Sequence, residues 1–197
     1  MKQLLVLLCG LIAATSSPAA TLDLQLVDAG GTPVSDAVVT VATGRSIPAG
    51  FQFPGGSTMR QQNIMFVPHT LIVPVGATVG FPNFDRVRHH VYSFSKPARF
   101  ELKLFGRDQT RSFRFTSPGA VAIGCNIHDR MSGYIKVVDT PFAGLSGNDG
   151  RIRIAGLPEA PVKVIVWHPQ LRAVGNELAL QIAPYGAAHR IVLDLRR

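Results

Sequence analysis

The stretch VAIGCNIHDRMSGYIKVV, residues 121–138, governs the interpretation of the whole chain. It places Cys125, His128 and Met131 at C-x2-H-x2-M spacing, between two apolar runs that are typical of β-strands. A thiolate, an imidazole and a thioether form a soft ligand set, and such a set selects copper over magnesium, calcium or manganese. The stretch therefore predicts a copper site on a short loop between two strands.

A blue-copper site needs a second imidazole, and the sequence RHHVYSFS offers one at His89 or His90. Adjacent residues on a strand point to opposite faces, so only one of the two histidines can face the metal if both lie on a regular strand. The residues alone leave open which of them binds. Asp129 is an alternative to Met131 as axial ligand, although a hard carboxylate suits a hard cation better than copper.

The loop and the segments before it resemble the cupredoxin family, in particular its plastocyanin-like and amicyanin-like members. Residues 64–95, IMFVPHTLIVPVGATVGFPNFDRVRHHVYSFS, resemble the first half of a cupredoxin, and residues 113–125, FRFTSPGAVAIGC, resemble the approach to the cysteine. The resemblance covers roughly residues 60–139. It implies a Greek-key β-sandwich that holds one type 1 copper ion.

The resemblance also implies a ligand set. Family members have His-x-Val at the first ligand, which corresponds to His89 here and is followed by Cys125, His128 and Met131. Many members carry an asparagine directly after the first histidine, where this chain has His90.

The two ends of the chain resemble a second fold. Residues 26–41, LVDAGGTPVSDAVVTV, and residues 146–169, SGNDGRIRIAGLPEAPVKVIVWHP, resemble early and later strands of a transthyretin-like or carboxypeptidase-regulatory β-sandwich. No amphipathic helix longer than a turn or two is apparent, so the predicted class is all-β. The whole arrangement resembles exported plastocyanin-like proteins described as methylamine-utilisation proteins, a description that establishes no pathway for this chain.

We therefore expect one small sandwich that is split in sequence by an inserted copper domain. Insertion is tolerated at surface loops, where the two chain ends lie close together. A single enlarged sandwich is the alternative. The predicted parts are the split sandwich at residues 21–45 and 141–197, a linker at residues 46–59, and the copper domain at residues 60–140.

Residues 1–20 are typical of a secretory signal. The apolar run Leu4–Ala14 is too short to span a bilayer, and residues 17–20 are small, as at a cleavage site. The sequence thus predicts a periplasmic protein whose mature chain has no membrane span. One of the two cysteines lies in this signal, so Cys125 is the only cysteine of the mature chain and no internal disulfide can form.

The formal net charge of +8 raises the question of the partner. A basic chain is typical of nucleic-acid binding, but export and the scattered arrangement of the charges argue against it. Arg86, Arg88 and Arg130 flank the proposed ligands and are expected to steer an acidic redox protein towards the site. The alternative is that these arginines are solvated or pair with Asp85 and Asp129.

Some other residues are interpreted from their neighbours in sequence. Asn83 and Asp85 are expected to brace the loop before the first ligand through side-chain hydrogen bonds to the backbone. Trp167 and His168 follow an apolar strand, which suggests a tryptophan at the core edge and a histidine at the surface or beside the site.

The predicted function is electron transport between redox proteins by one copper ion per chain, which cycles between Cu(I) and Cu(II). The sequence shows no second copper cluster, which argues against a multicopper oxidase, and the prediction is a carrier and not an enzyme. Two alternatives remain from the same residues. One is a copper-handling or sensing module, and the other is a mononuclear copper enzyme with an open coordination position.

Overall fold

The computed structural model describes residues 19–196, which form β-strands joined by turns and irregular segments. The all-β class predicted from the sequence is confirmed. The described part of the chain has a single helical element, the three-residue 3-10 turn Val174–Asn176, and no helix there could span a bilayer. Residues 1–18 of the predicted secretory signal lie outside the described part of the chain.

The strands in chain order are β1 (Ala20–Asp28), β2 (Val38–Ala42), β3 (Arg60–Gln62), β4 (Met65–Val67), β5 (Thr70–Pro74), β6 (Thr78–Pro82), β7 (His89–Ser95), β8 (Ala98–Phe105), β9 (Thr110–Arg114), β10 (Gly119–Gly124), β11 (Ser132–Val138), β12 (Ala143–Leu145), β13 (Arg151–Leu157), β14 (Val162–Trp167), β15 (Glu177–Ile182) and β16 (His189–Leu193).

Strands from the two ends of the chain form a pair of sheets around one core. The first sheet has the order β13-β1-β16 and the second the order β12-β2-β14-β15. Leu22, Leu24 and Leu26 alternate with more exposed residues along β1 and are almost fully buried, as expected for a strand with one face towards a core. They pack in a cluster with Val164 and Leu193 of the other strands.

The middle of the chain forms a second core, which carries the ligand loop. Its main sheet has the order β5-β11-β10-β7-β8, and the pairs β6–β9 and β3–β4 complete it. Phe81, Phe105 and Phe115 are fully buried in this core together with Cys125. Met59, which the sequence analysis placed in the linker, is also fully buried there.

The pairing of β7 with β8 contains an irregularity beside the first ligand position. His89 lies opposite Phe105 and Val91 lies opposite Leu102, so β8 has one residue more than β7 over this interval. Phe105 is fully buried whereas Leu104 is 40% exposed. Residues 100–105 alternate between apolar and polar side chains with one interruption, and this β-bulge accounts for it and breaks the regular ladder beside His89.

A third apolar cluster joins the two cores. The β11 side chains Tyr134, Lys136 and Val138 lie on the face opposite to the second core, where Val138 packs with Ile72 of β5 and with Trp167 of β14. Since β5 and β11 are covered on both faces, every residue of β5 is buried. Alternate side chains of β5 and β11 thus pack on opposite faces, one set in the second core and the other in the third cluster.

An ion pair between a buried lysine and an exposed glutamate lies in this contact between the two cores. The Lys136 ammonium donates to Glu177 Oε1 at 2.6 Å and lies 5.5 Å from the centre of the Trp167 ring. Lys136 is only 5% exposed, and a buried ammonium needs such partners because it has lost its hydration.

His168 follows Trp167 and is buried, so of the two positions expected for it, at the surface or beside the site, the surface position is wrong. Its Nδ1 accepts the backbone N–H of Gln170 at 3.2 Å. Burial lowers its pKa, and that effect outweighs the carboxylate of Asp36, which raises it.

Candidate metal centre

The loop Cys125–Met131 is closed by its own backbone. The Cys125 N–H donates to the Met131 carbonyl at 3.1 Å, and the Met131 N–H donates to the His128 carbonyl at 2.9 Å. The loop connects β10 with β11, which are paired along their whole length, so its two ends are fixed. These contacts hold the cysteine, histidine and methionine in one compact turn.

Gly124, immediately before the cysteine, allows a close contact. A Cβ atom at this position would lie 3.1 Å from the ring of Tyr92 on the neighbouring strand β7. The tyrosine ring therefore lies directly against the backbone that leads to Cys125, and a side chain at residue 124 would displace the ring by a few tenths of an ångström.

His89 reaches the loop from a position 36 residues earlier in the chain. It is the first residue of β7, and its side chain is fully buried. Its Nδ1 lies 4.0 Å from the Cys125 sulfur, and Nδ1 of His128 lies 3.6 Å from the same sulfur. The ligand atoms of these three residues all lie within 4.8 Å of one another.

These distances fit a metal ion bound by one sulfur and two nitrogens. Bonds of about 2.3 Å to sulfur and about 2.05 Å to nitrogen, taken from zinc sites, place a sulfur and a nitrogen about 3.8 Å apart in a trigonal arrangement. The two observed sulfur–nitrogen distances lie on either side of that value. The donor set, a thiolate with two imidazoles, also fits copper by its softness.

Met131 and Asp129 differ in burial. Met131 is 2% exposed and packs in the same core as Cys125, whereas Asp129 is exposed. Among residues 19–196, the convergent group of His, Cys, Asp and Glu ligand atoms contains His89, Cys125 and His128 and leaves Asp129 out. The axial position of the thioether stays a prediction.

His90 lies on the other side of the sheet from the convergent group. Its Nε2 makes a 2.8 Å hydrogen bond with Glu101 Oε1, and its Nδ1 is buried without a partner in the described part of the chain. The structure thus brings His89 and not His90 to Cys125, in keeping with the opposite orientation of neighbouring strand residues. Metal binding by these residues stays a prediction.

Asn83 and Asp85 brace the loop before His89, as predicted. The Asn83 amide donates to the carbonyls of Val87 at 2.9 Å and Phe105 at 3.2 Å, and its Oδ1 accepts the Asp85 N–H at 2.9 Å. Sequence analysis did not foresee that Asp85 also contacts His89, at 2.7 Å between Oδ2 and Nε2. The Asp-x3-His spacing was the available signal, but only the folded loop brings the two side chains together.

The predicted basic rim is exposed. Arg86, Arg88 and Arg130 are all solvent-accessible, and none of them forms an ion pair within residues 19–196. Asp85, one of the partners considered from the sequence, pairs with His89 instead.

Comparison with known proteins gives the following similarities. No protein-family model matches the chain, and no curated protein sequence matches it. The chain is similar to the copper-containing nitrite reductase from Thermus scotoductus, with 26% identity and a TM-score of 0.41 over 49% of this chain. That match spans only 26% of the reductase.

Amicyanin structures are similar over a comparable part of the chain. A reduced amicyanin mutant matches with 22% identity and a TM-score of 0.40, covering 51% of this chain and 98% of amicyanin. An oxidised amicyanin mutant matches with 21% identity, the same TM-score and the same coverage. Cupredoxin structures are thus among those to which the chain is similar, over about half of its length.

Proposed function

We propose that this protein is a type 1 copper protein that carries single electrons between redox partners. The observation that carries the proposal is the convergence of His89 Nδ1, Cys125 Sγ and His128 Nδ1 within 4.8 Å, in a core that also buries Met131. A lone thiolate with two imidazoles and a nearby thioether is the donor set of blue-copper electron-transfer sites.

Each residue has a distinct role in this proposal. Cys125, His89 and His128 would hold the ion, which supplies a one-electron Cu(II)/Cu(I) couple, and Met131 would help to set its potential. Cys125 is 5% exposed and His89 is fully buried, so most of the thiolate surface is shielded from bulk water. The loop backbone and the paired strands β10 and β11 fix the ligands before any metal binds, which favours little rearrangement between the two oxidation states.

The proposal includes export and an acidic partner. The signal-like residues 1–20 support a periplasmic location. The exposed side chains of Arg86, Arg88 and Arg130 support a docking surface for a negatively charged redox protein, because opposite charges accelerate association.

Titration of the purified chain with Cu(II) tests the proposal. We expect one copper per chain and an intense visible band from thiolate-to-copper charge transfer. Cys125→Ser should abolish the band, whereas the matched variant His90→Ala, on the opposite face of the sheet, should keep it. A band that persists in Cys125→Ser, or a wild-type chain that binds no copper, would refute the site.

One observation favours a second candidate, a mononuclear copper enzyme. A cavity of about 380 Å³ is lined by Cys125, Asp129 and Met131 and could admit a small molecule. Added azide discriminates the two: a carrier keeps its spectrum, whereas an enzyme with an open position shows a shifted band. A colourless protein that holds Cu(I) tightly and exchanges electrons slowly would instead indicate copper handling.

A further inference from the structure

The far nitrogen of His89 is bound to a carboxylate. His89 Nε2 lies 2.7 Å from Asp85 Oδ2, and the two side chains are 0% and 13% exposed. The near nitrogen, Nδ1, is the one that faces Cys125. The imidazole is thus held from behind by a charged acceptor while its other nitrogen faces the proposed metal position.

Asp85 is itself held by a turn from another part of the chain. Its Oδ1 accepts the Asn63 N–H at 2.7 Å, and its Oδ2 accepts the Ile64 N–H at 3.0 Å. These two residues connect β3 to β4 and have φ angles of 57° and 58°. Two consecutive positive φ angles are typical of a type I′ hairpin turn, although a β-branched residue such as Ile64 seldom adopts them. The turn presents both amides to one carboxylate.

These contacts determine where the protons are. Both oxygens of Asp85 accept a backbone N–H, Oδ1 from Asn63 and Oδ2 from Ile64, which is the arrangement expected of an ionised carboxylate. An ionised carboxylate can only accept hydrogen bonds, so the proton of this contact belongs to His89 Nε2. In the neutral ring, Nδ1 then carries the lone pair that a metal requires.

We propose that Asp85, held by the amides of the Asn63–Ile64 turn, is a positioning residue that fixes the ring and tautomer of His89 and strengthens Nδ1 as a metal ligand. A carboxylate on the outer N–H of a metal-bound histidine raises the basicity of the ring. A more electron-rich ligand stabilises Cu(II) more than Cu(I), because the attraction grows with the charge of the ion. Asp85 therefore lowers the reduction potential of the site. This inference rests on the proposed function, since it assumes that His89 binds copper.

The variant Asp85→Asn tests the proposal, because it keeps the size of the side chain and removes the negative acceptor. We expect the ratio of Cu(II) to Cu(I) affinity to fall by about tenfold, the lower end of the effect seen when such a partner is lost. For a one-electron couple, a tenfold change corresponds to a rise in potential of about 59 mV. The matched control is Asp108→Asn, which removes a carboxylate that is 76% exposed in the turn between β8 and β9 and should change the ratio by less than about threefold, since an exposed charge is screened by water.

A second measurement uses the unaltered chain. In the metal-free protein in mildly alkaline solution, nitrogen-15 NMR should show the His89 proton on Nε2, protected from exchange with water. A proton on Nδ1, or exchange as fast as in a free imidazole, would overturn the proposal even if Asp85→Asn failed to fold. Equal potentials for copper-loaded Asp85→Asn and wild type would overturn it as well. A wild-type chain that binds no copper would refute the proposed function, whereas the NMR measurement would still decide whether Asp85 fixes the ring.

Discussion

Excision of the second core, which carries the loop Cys125–Met131, is the perturbation whose effect can be worked out from the structure in most detail. Residues 57–140 contain β3 to β11 and the segment that pairs with β6, where the Met59 N–H donates to the Gly80 carbonyl at 2.9 Å. If this part is an inserted domain with its own core, the fragment should fold without the rest of the chain.

The cost of excision comes from the second face of β5 and β11. Ile72 and Val138 are 5% and 3% exposed in the whole chain, and removal of β2 and β14 would uncover them. Each buried side chain of this size contributes about 1.5–3 kcal/mol, so the fragment should lose about 3–6 kcal/mol. A typical domain has a free energy of unfolding of about 5–15 kcal/mol, so fragment 57–140 should remain folded but be only marginally stable. Loss of the Lys136–Glu177 ion pair should change the stability of the fragment little, because the Lys136 ammonium becomes hydrated when Glu177 is removed.

The shorter fragment 60–140, which begins at the boundary predicted from the sequence, provides a matched comparison. It lacks Met59, whose side chain is fully buried in this core. Loss of such a side chain costs about 2–5 kcal/mol, so this fragment should be largely unfolded.

Urea unfolding of the metal-free fragments, followed by circular dichroism, measures both effects. Ile72→Thr with Val138→Thr in both fragments keeps the uncovered face from causing aggregation. The absence of a cooperative transition for fragment 57–140 would refute the independent core and favour a single enlarged sandwich. Equal midpoints for the two fragments would refute the role assigned to Met59.

Three further predictions follow from individual residues. His89→Ala should weaken copper binding by more than the roughly 10–100-fold that is typical when a hydrogen-bond partner of a metal ligand is lost, whereas His90→Ala should leave the copper spectrum intact. Titration of both variants with Cu(II) compares their affinities. The reverse order would show that the first ligand is His90. Stopped-flow reduction by an anionic donor should slow with salt and in the variant Arg88→Glu with Arg130→Glu, without a spectral change; a rate indifferent to both would refute the docking surface. Because burial lowers the pKa of His168, the unfolded chain binds its proton more readily, so the free energy of unfolding should decrease as the pH falls below about 6.5 towards the lower folded pKa. His168→Asn should reduce this dependence in urea titrations of the metal-free protein, and an identical slope in both would contradict the assignment.

Local patterns in the sequence were sufficient to predict the all-β class and three of the candidate ligands. The alternation of Leu22, Leu24 and Leu26 with polar residues is typical of a half-buried strand, which the structure shows as β1. The spacing of Cys125, His128 and Met131 placed three candidate ligands on one loop, since a short loop between paired strands leaves them few positions. Both inferences depend on residues a few positions apart, where the periodicity of the backbone limits the possibilities.

The tertiary structure decided which distant groups meet. The sequence left His89 and His90 equivalent as residues, and the β-bulge opposite them and the packing of β7 brought only His89 to Cys125. The apolar run of β5 is typical of a strand but does not reveal that both faces are covered, because the covering residues come from elements far away in sequence.

The contact of Asp85 with both His89 and the Asn63–Ile64 turn illustrates the same limit. Two backbone amides and one imidazole converge on the Asp85 carboxylate, which lies 22 residues after Asn63 and 21 residues after Ile64 in the sequence. A sequence pattern fixes the faces of a strand because neighbouring dihedral angles are coupled by short-range sterics. The meeting of separate segments depends instead on the closure of long loops and the packing of whole sheets, which only the folded chain determines.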